Sequence, residues 1–257
     1  MIPRLLKGVG VPKDMCNDYV KSSAEISGLK HAYVVGVADP TNALPPGQVF
    51  VSGFSYVETP NDEIFITRSP ALKASDGRKV KLVTSRPEKM SGEDWTWLQA
   101  LPFGAIVFAN PKEGTQPLPV QIGNGDLDGD LYFILWDSEL LSHIKTDPIV
   151  ELQLEEEDVD AENAMPSSHS HWLEEAQQLM VKSIKEEMHL GALIGALWGL
   201  SQKTQDDSSE YMNDADAIEL ANAFTQALDY KKHGRKIELS PHLRGHPKLA
   251  EHQGYFV

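Results

Sequence analysis

One stretch constrains this chain more than any other: Gly123-Asn124-Gly125-Asp126-Leu127-Asp128-Gly129-Asp130-Leu131-Tyr132-Phe133. Its three carboxylates fall at i, i+2 and i+4, interleaved with glycines and followed at once by an apolar run. On an extended backbone these positions share one face, so Asp126, Asp128 and Asp130 are expected to converge. Like charges that close repel strongly unless a cation sits between them. An all-oxygen donor set suits Mg²⁺, Mn²⁺ or Ca²⁺ rather than zinc or copper.

Three readings of the stretch compete. The first is a calcium loop, because Asn-x-Asp-x-Asp-Gly runs from Asn124 to Gly129. Loop position 12 then falls on Leu135, where calcium needs a bidentate glutamate. Starting at Asp126 brings Asp137 to that position but puts Leu131 where the turn glycine belongs. The flanks also read as strands, not helices. The second reading is a plain Asp/Gly turn, which accounts for two aspartates and leaves the strict alternation of three unexplained. The third is a catalytic Mg²⁺ site for phosphoryl or nucleotidyl transfer, and it demands cations nearby to hold phosphates.

Those cations exist, although the formal net charge is −15. Arg68, Lys73, Arg78, Lys79, Lys81, Arg86 and Lys89 fall within 22 residues. A second group holds Lys231, Lys232, Arg235, Lys236, Arg244 and Lys248, with His233, His242 and His246. Residues 1–90 carry twelve Lys/Arg against nine Asp/Glu, whereas 151–162 carry seven acids and no base. The acidity is therefore partly local and leaves room for a phosphate-binding surface. His169 and His171 read as polar residues at a helix start rather than a metal site. No nucleophile elbow or Walker loop is present.

The texture is β from residue 31 to 137. Ala32–Val37, Gln48–Phe54, Glu63–Arg68, Lys79–Thr84, Gly104–Phe108 and Leu131–Trp136 read as strands, separated by turn residues. A short helix is expected over Trp95–Leu101, with Ser91 as its cap, and Pro117–Ile122 leads into the aspartates. Many short strands suggest a barrel or sandwich. Beyond Asp137, Glu151–Asn163 reads as a solvated linker. A helix is expected from Ser167 or Ser168 through Trp172, Ala176, Leu179, Ile184 and Met188. Another follows Asn213 or Asp214, with Ile218, Ala221, Phe224, Thr225 and Leu228 on one face. Ile2–Leu6 and Asp14–Leu29 are expected to hold short helices. No internal repeat is visible. The lone Cys16 reads as a packed thiol and argues for a reducing compartment. No run nears the ~18 apolar residues that span a bilayer, so an intracellular protein, cytoplasmic or nuclear, is expected.

The ordered motifs resemble those of the eukaryotic cellular RNA-dependent RNA polymerases, the RNA-silencing type. Asp126-Leu127-Asp128-Gly129-Asp130, with Tyr132 and Trp136-Asp137, resembles that family's signature. Its aspartate core is also similar to that of the largest subunit of multisubunit DNA-dependent RNA polymerases. Gly36–Pro40, Leu44 and Gly47–Val51 resemble the family's G-x-x-D and G-Q-V-F-V segments. Ile66–Leu72 resembles its V-x-R-N-P block with Ser69 for Asn, and Asp76-Gly77-Arg78 stands where Asp-Ile-Arg is usual. Ala227–Gly234 is similar to its A-V-D-[FY]-P-K-T-G block, with Lys231 and His233 in place of Pro and Thr.

The resemblance implies an α+β chain: a double-psi β-barrel, the second of a two-barrel polymerase core, followed by a helical module. The corresponding boundaries are an N-terminal segment 1–30, a catalytic barrel 31–137, an acidic linker 138–167 and a helical module 168–257 with a basic end. It implies template-directed nucleotidyl transfer to an RNA 3′ end, with Mg²⁺ on Asp126, Asp128 and Asp130. Arg68, Arg78 and Lys232 would then contact nucleotide or RNA, and Asp229 would be structural. The implied partners are RNA template and product and ribonucleoside triphosphates, with no membrane. The family's first barrel should supply further basic residues, and the chain then reads as a fragment, a truncated gene model, one half of a split polymerase whose separate partner chain carries that barrel, or a degenerate copy. The alternatives are a non-catalytic RNA-binding or scaffolding remnant, and a DNA-templated relative.

Overall fold

The structure, a computed structural model, describes residues 2–16, 30–53, 60–146, 212–233, 237 and 239–245, with isolated positions between 173 and 198. The expected linker 151–163, the helix through Trp172 and Met188, His169, His171 and most of 14–29 lie outside the described residues. The chain divides into two compact units, Met1–Leu154 and Glu155–Val257.

In the first unit, the strands are β1 (His31–Ala38), β2 (Gln48–Val51), β3 (Glu63–Arg68), β4 (Gly77–Leu82), β5 (Ala105–Phe108) and β6 (Leu131–Leu135). They close into a barrel in the order β1-β5-β2-β4-β3-β6. Two pairs, β1·β5 and β2·β4, are parallel; all others are antiparallel. Adding three to each strand number reproduces every pairing and its sense, so the barrel has an internal pseudo-two-fold arrangement. β5 separates β1 from β2, and β2 separates β4 from β5, so each half inserts a strand into the other. This interlocking is the double-psi arrangement that the motifs implied. The absence of a visible repeat has a simple cause. Such a backbone requires only that alternate residues be apolar, and many sequences satisfy that.

Alternation fills the interior. Val34, Val49, Val51, Ile64, Ile66, Val80, Leu82, Ile106, Phe108, Tyr132 and Ile134 point inward, and Leu118 and Ile122 join them. Leu118 belongs to a single helical turn, Leu118–Gln121. The sequence Leu-Pro-Val-Gln thus forms a helical turn that sends Leu118 into the core and leads to the aspartates. Outside the barrel, Leu44, Phe50, Val83, Met90, Leu98 and Val107 form a second apolar layer with Trp95 packed against it. It lies under the helix Gly92–Ala100, whose cap Ser91 accepts a bond from the Asp94 amide at 3.0 Å. The helix Ile2–Gly8 buries Leu5 and Leu6 in the same unit. Cys16 is buried, with its thiol pushed up by desolvation, as a packed cysteine should be.

Gly77 explains one departure from the family pattern. A Cβ there would stand 2.3 Å from Phe65 Cζ, so the aromatic ring occupies the space of a side chain. Asp76 remains in its structural part: buried, it accepts bonds from the Leu72 and Lys73 amides at 2.7 and 3.0 Å. It shapes the connection from β3 to β4.

In the second unit, helix Ala215–His233 starts at Asp214, whose carboxylate accepts from the Ala217 amide at 3.0 Å. The buried face overlaps the expected one: Ala221 is fully buried and Phe224 packs on the core, while Ile218 and Thr225 are half-buried. Leu220, Ala223 and Ala227 widen it, packing with Ile194, Ile237 and Leu239. Alanine carries the contact here because its small side chain permits close approach, which a pattern weighted toward large apolar residues overlooks.

Gly77→Ala should lower stability by about 1–3 kcal/mol through overpacking against Phe65. Phe65→Leu in the same chain should recover part of the loss in urea denaturation. Equal stability of the single variant and the parent would contradict the packing described.

Candidate metal centre

The aspartates sit on the loop between the helical turn Leu118–Gln121 and β6. They converge as expected: one carboxylate oxygen from each of Asp126, Asp128 and Asp130 lies within 4.8 Å of the others. The reason differs from the expected one. The backbone is not extended, since Gly123, Asn124, Leu127 and Gly129 all have positive φ (65°, 55°, 62° and 125°). A leucine in the left-handed region costs about 1–2 kcal/mol. Its side chain offsets that cost by packing on the barrel core.

The three carboxylates are not equivalent. Asp130, with its side chain 8% exposed, organises the loop. Its Oδ2 accepts from the Asp126 amide at 3.1 Å, and its Oδ1 lies 2.6 Å from Arg68 Nε. Arg68 closes β3 and also donates from a terminal guanidinium nitrogen to the Gly123 carbonyl at 2.9 Å. One cation therefore ties both ends of the loop to the barrel. Asp126 and Asp128 are exposed. The hydrogen bond that a protonated Asp128 carboxyl donates to the Asp126 carboxylate, and then the Asp126 charge, hold the Asp128 carboxyl above the usual range; slight desolvation and Asp130 add to this, and Arg68 opposes it. Adjacent carboxylates that raise one another's proton affinity form a site that a divalent cation relieves, so the donor set fits a metal ion.

Beneath the loop lies Tyr132, which the sequence reading included in the motif but gave no task. It is fully buried. A Cβ on Gly36 would fall 2.3 Å from Tyr132 Cε2, and one on Gly125 would fall 2.2 Å from its Oη. The ring is wedged between β1 and the aspartate loop, and only glycine fits on either side. Its hydroxyl has no hydrogen-bond partner among the described residues, and burial pushes its ionisation far up. A tyrosine at an inward position among aliphatic residues, with a glycine inside a strand, was the available signal.

The structure separates the other expected site residues. Arg68 is at the aspartates, as an internal counter-charge to Asp130. Arg78 lies on β4 in the inward series of Val80 and Leu82 and is only 7% exposed. It offers little surface in this structure. Lys232 belongs to helix Ala215–His233 in the second unit, and its side chain is outside the described residues.

The sequence model described as RdRP, RNA dependent RNA polymerase, matches residues 13–254. The chain belongs to the RNA-dependent RNA polymerase family. It is 28% identical over 239 residues to a probable RNA-dependent RNA polymerase 1 of Oryza sativa subsp. japonica, covering 90% of this chain and 29% of that protein. It is 26% identical over 251 residues to RNA-dependent RNA polymerase 1 of Schizosaccharomyces pombe, covering 89% of this chain and 19% of that one. Among solved structures, RNA dependent RNA polymerase QDE-1 from Thielavia terrestris matches with a TM-score of 0.56 and 20% identity, over 86% of this chain and 25% of that chain. That last likeness is one of fold. The eukaryotic cellular type of this polymerase family, implied by the motifs, is thus the right one. The chain spans less than a third of the polymerases it matches.

Two outcomes are expected for this polymerase-family loop. Asp126→Asn should bring the Asp128 carboxyl down toward the ordinary range, read by carbon-detected NMR titration. Without added metal, the raised value means that the folded state gains proton affinity. Its contribution to stability should be full below the unfolded aspartate value and lost as pH rises through the folded one. Added divalent cation should abolish that loss in thermal melts. Separately, Arg68→Met should destabilise the chain by about 1–3 kcal/mol, because Asp130 would be left buried without its counter-charge.

Proposed function

We propose that this chain is the catalytic-barrel region of an RNA-directed RNA polymerase that acts in RNA silencing. Asp126, Asp128 and Asp130 hold Mg²⁺, and RNA and ribonucleoside triphosphates are the substrates. The observation that carries this reading is the convergence of the three carboxylates on a loop braced by Arg68, in a chain of this family. Bound there, Mg²⁺ supplies Lewis-acid stabilisation of charge on the transferred phosphate and lowers the pKa of the attacking 3′-hydroxyl.

The protein's own residues prepare that site. Asp130 fixes the loop through the Asp126 amide and keeps its other oxygen on Arg68. Asp126 and Asp128 present exposed carboxylates toward incoming ligands. Arg68 places a permanent positive charge beside the carboxylates, which favours phosphate over other anions that arrive there. In the second unit, Lys232 of the Ala227–Gly234 motif is a further residue for contact with nucleotide or RNA. Because the chain spans 19–29% of the relatives described, further polypeptide completes the polymerase, either on the same chain or on a separate one. That polypeptide brings the first barrel and its basic residues.

Primer extension tests the proposal. A complete polymerase containing this chain should extend an RNA primer on an RNA template with Mg²⁺ and fail on a DNA template. Chelation should stop it, and Asp128→Ala should reduce it to background while circular dichroism stays unchanged. Extension that survives Asp128→Ala sinks the enzyme reading. A variant that binds RNA normally in a parent that never extends it would favour the scaffolding alternative.

A further inference from the structure

We infer that a basic cleft on the outer wall of the barrel is a second site on this unit and holds the phosphodiester backbone of an RNA strand. The inference rests on the polymerase reading above. The cleft has a volume of about 370 Å³ and is built from β2, β3, β4 and the segment 109–121. None of the three aspartates lines it, and neither does Arg68.

Its charge comes from Lys79, Lys81 and Lys112. Lys79 and Lys81 stand two apart on β4, in the outward series opposite to the inward Val80 and Leu82, so both project to the same side. Lys112 comes from a different element, the turn after β5, where its carbonyl accepts from the Thr115 amide and hydroxyl. One acid, Glu63, lines the cleft and is the strand partner of Lys81. Three lysines against one glutamate leave a net charge of +2 in a chain whose formal net charge is −15. Ammonium groups from separate elements repel one another, and a polyanion is the ligand that repays their convergence.

The rest of the lining selects among polyanions. No aromatic side chain borders the cleft, so there is no platform on which a base can stack. Lysine supplies point charges without the planar fork that reads a base edge. A free nucleotide would leave its base without a partner. A strand whose phosphates pass over the lysines, with bases turned outward, uses what is present and implies contact that is independent of sequence. Gln121 lines the cleft and ends the helical turn that leads directly into Gly123 and the aspartates. A strand held in the cleft is thereby anchored on the same segment that carries the metal ligands.

The test uses the 257-residue chain and three probes: a fluorescein-labelled single-stranded oligouridine, free UTP, and Mn²⁺ followed by electron paramagnetic resonance. Lys79→Glu/Lys81→Glu should weaken oligouridine binding about tenfold and make the slope of log affinity against log salt shallower by about 1.4, two lysines at about 0.7 each. Lys79→Arg/Lys81→Arg should bind like the parent, which separates charge from folding. Mn²⁺ binding and UTP binding should be unchanged in both. Unchanged RNA affinity and slope in the glutamate variant overturn the inference. So does a loss confined to UTP, which would make the cleft a nucleotide pocket, and so does a parent chain that binds no RNA. Primer extension by the complete polymerase that fails while the lysine-dependent salt slope of the chain persists would count against the polymerase reading and leave the cleft standing.

Discussion

The contact between Arg68 and Asp130 is the interaction on which the candidate site depends. Three carboxylates on a short loop repel, and within the loop only backbone amides, those of Asp126 and Leu127 on Asp130, oppose that among the described bonds. Arg68 Nε at 2.6 Å from Asp130, and a second nitrogen at 2.9 Å from the Gly123 carbonyl, fasten the loop at both ends to the last residue of β3. With one aspartate neutralised and committed to the backbone, the other two remain exposed for a ligand. The architecture is thus a division of labour among chemically identical residues, set by which one the arginine reaches.

The barrel makes that reach possible. Arg68 and Tyr132 are paired in the β3·β6 register, and Gly36 on β1 lies against the tyrosine ring. Three strands distant in sequence therefore meet under one loop. The close fit of Tyr132 between Gly36 and Gly125 fixes the height of the loop above the core, and the inward leucine at 127 holds its middle.

Much of this was legible in the sequence, and what was not has physical reasons. The six strands and the Ser91 cap followed from alternation and local hydrogen-bond chemistry, which act over a few residues. The convergence of Asp126, Asp128 and Asp130 was anticipated, but by way of an extended backbone that Leu127 and Gly129 do not adopt. Spacing gave the right grouping and the wrong geometry. The inequivalence of the aspartates and the burial of Arg78 were not readable, because both depend on which strand neighbours which. In the helix Ala215–His233, Asp214 announced the start and Ala221 and Phe224 the buried side, whereas Ala223 and Ala227 were missed because small side chains weigh little in an apolar pattern. The lysine cleft joins residues from four separate segments and has no local signature at all.

Closure of the barrel has a consequence for assembly. Every one of its six strands has a neighbour on both sides, so the described sheet offers no open row of backbone groups. Another polypeptide cannot join it by extending the sheet. Any polypeptide that packs on the barrel has to recognise side chains and loops, and partner choice is then written in surface residues that can change without disturbing the hydrogen-bonded wall. A unit built this way can be joined covalently to its neighbours or assembled from separate chains while its internal geometry stays the same.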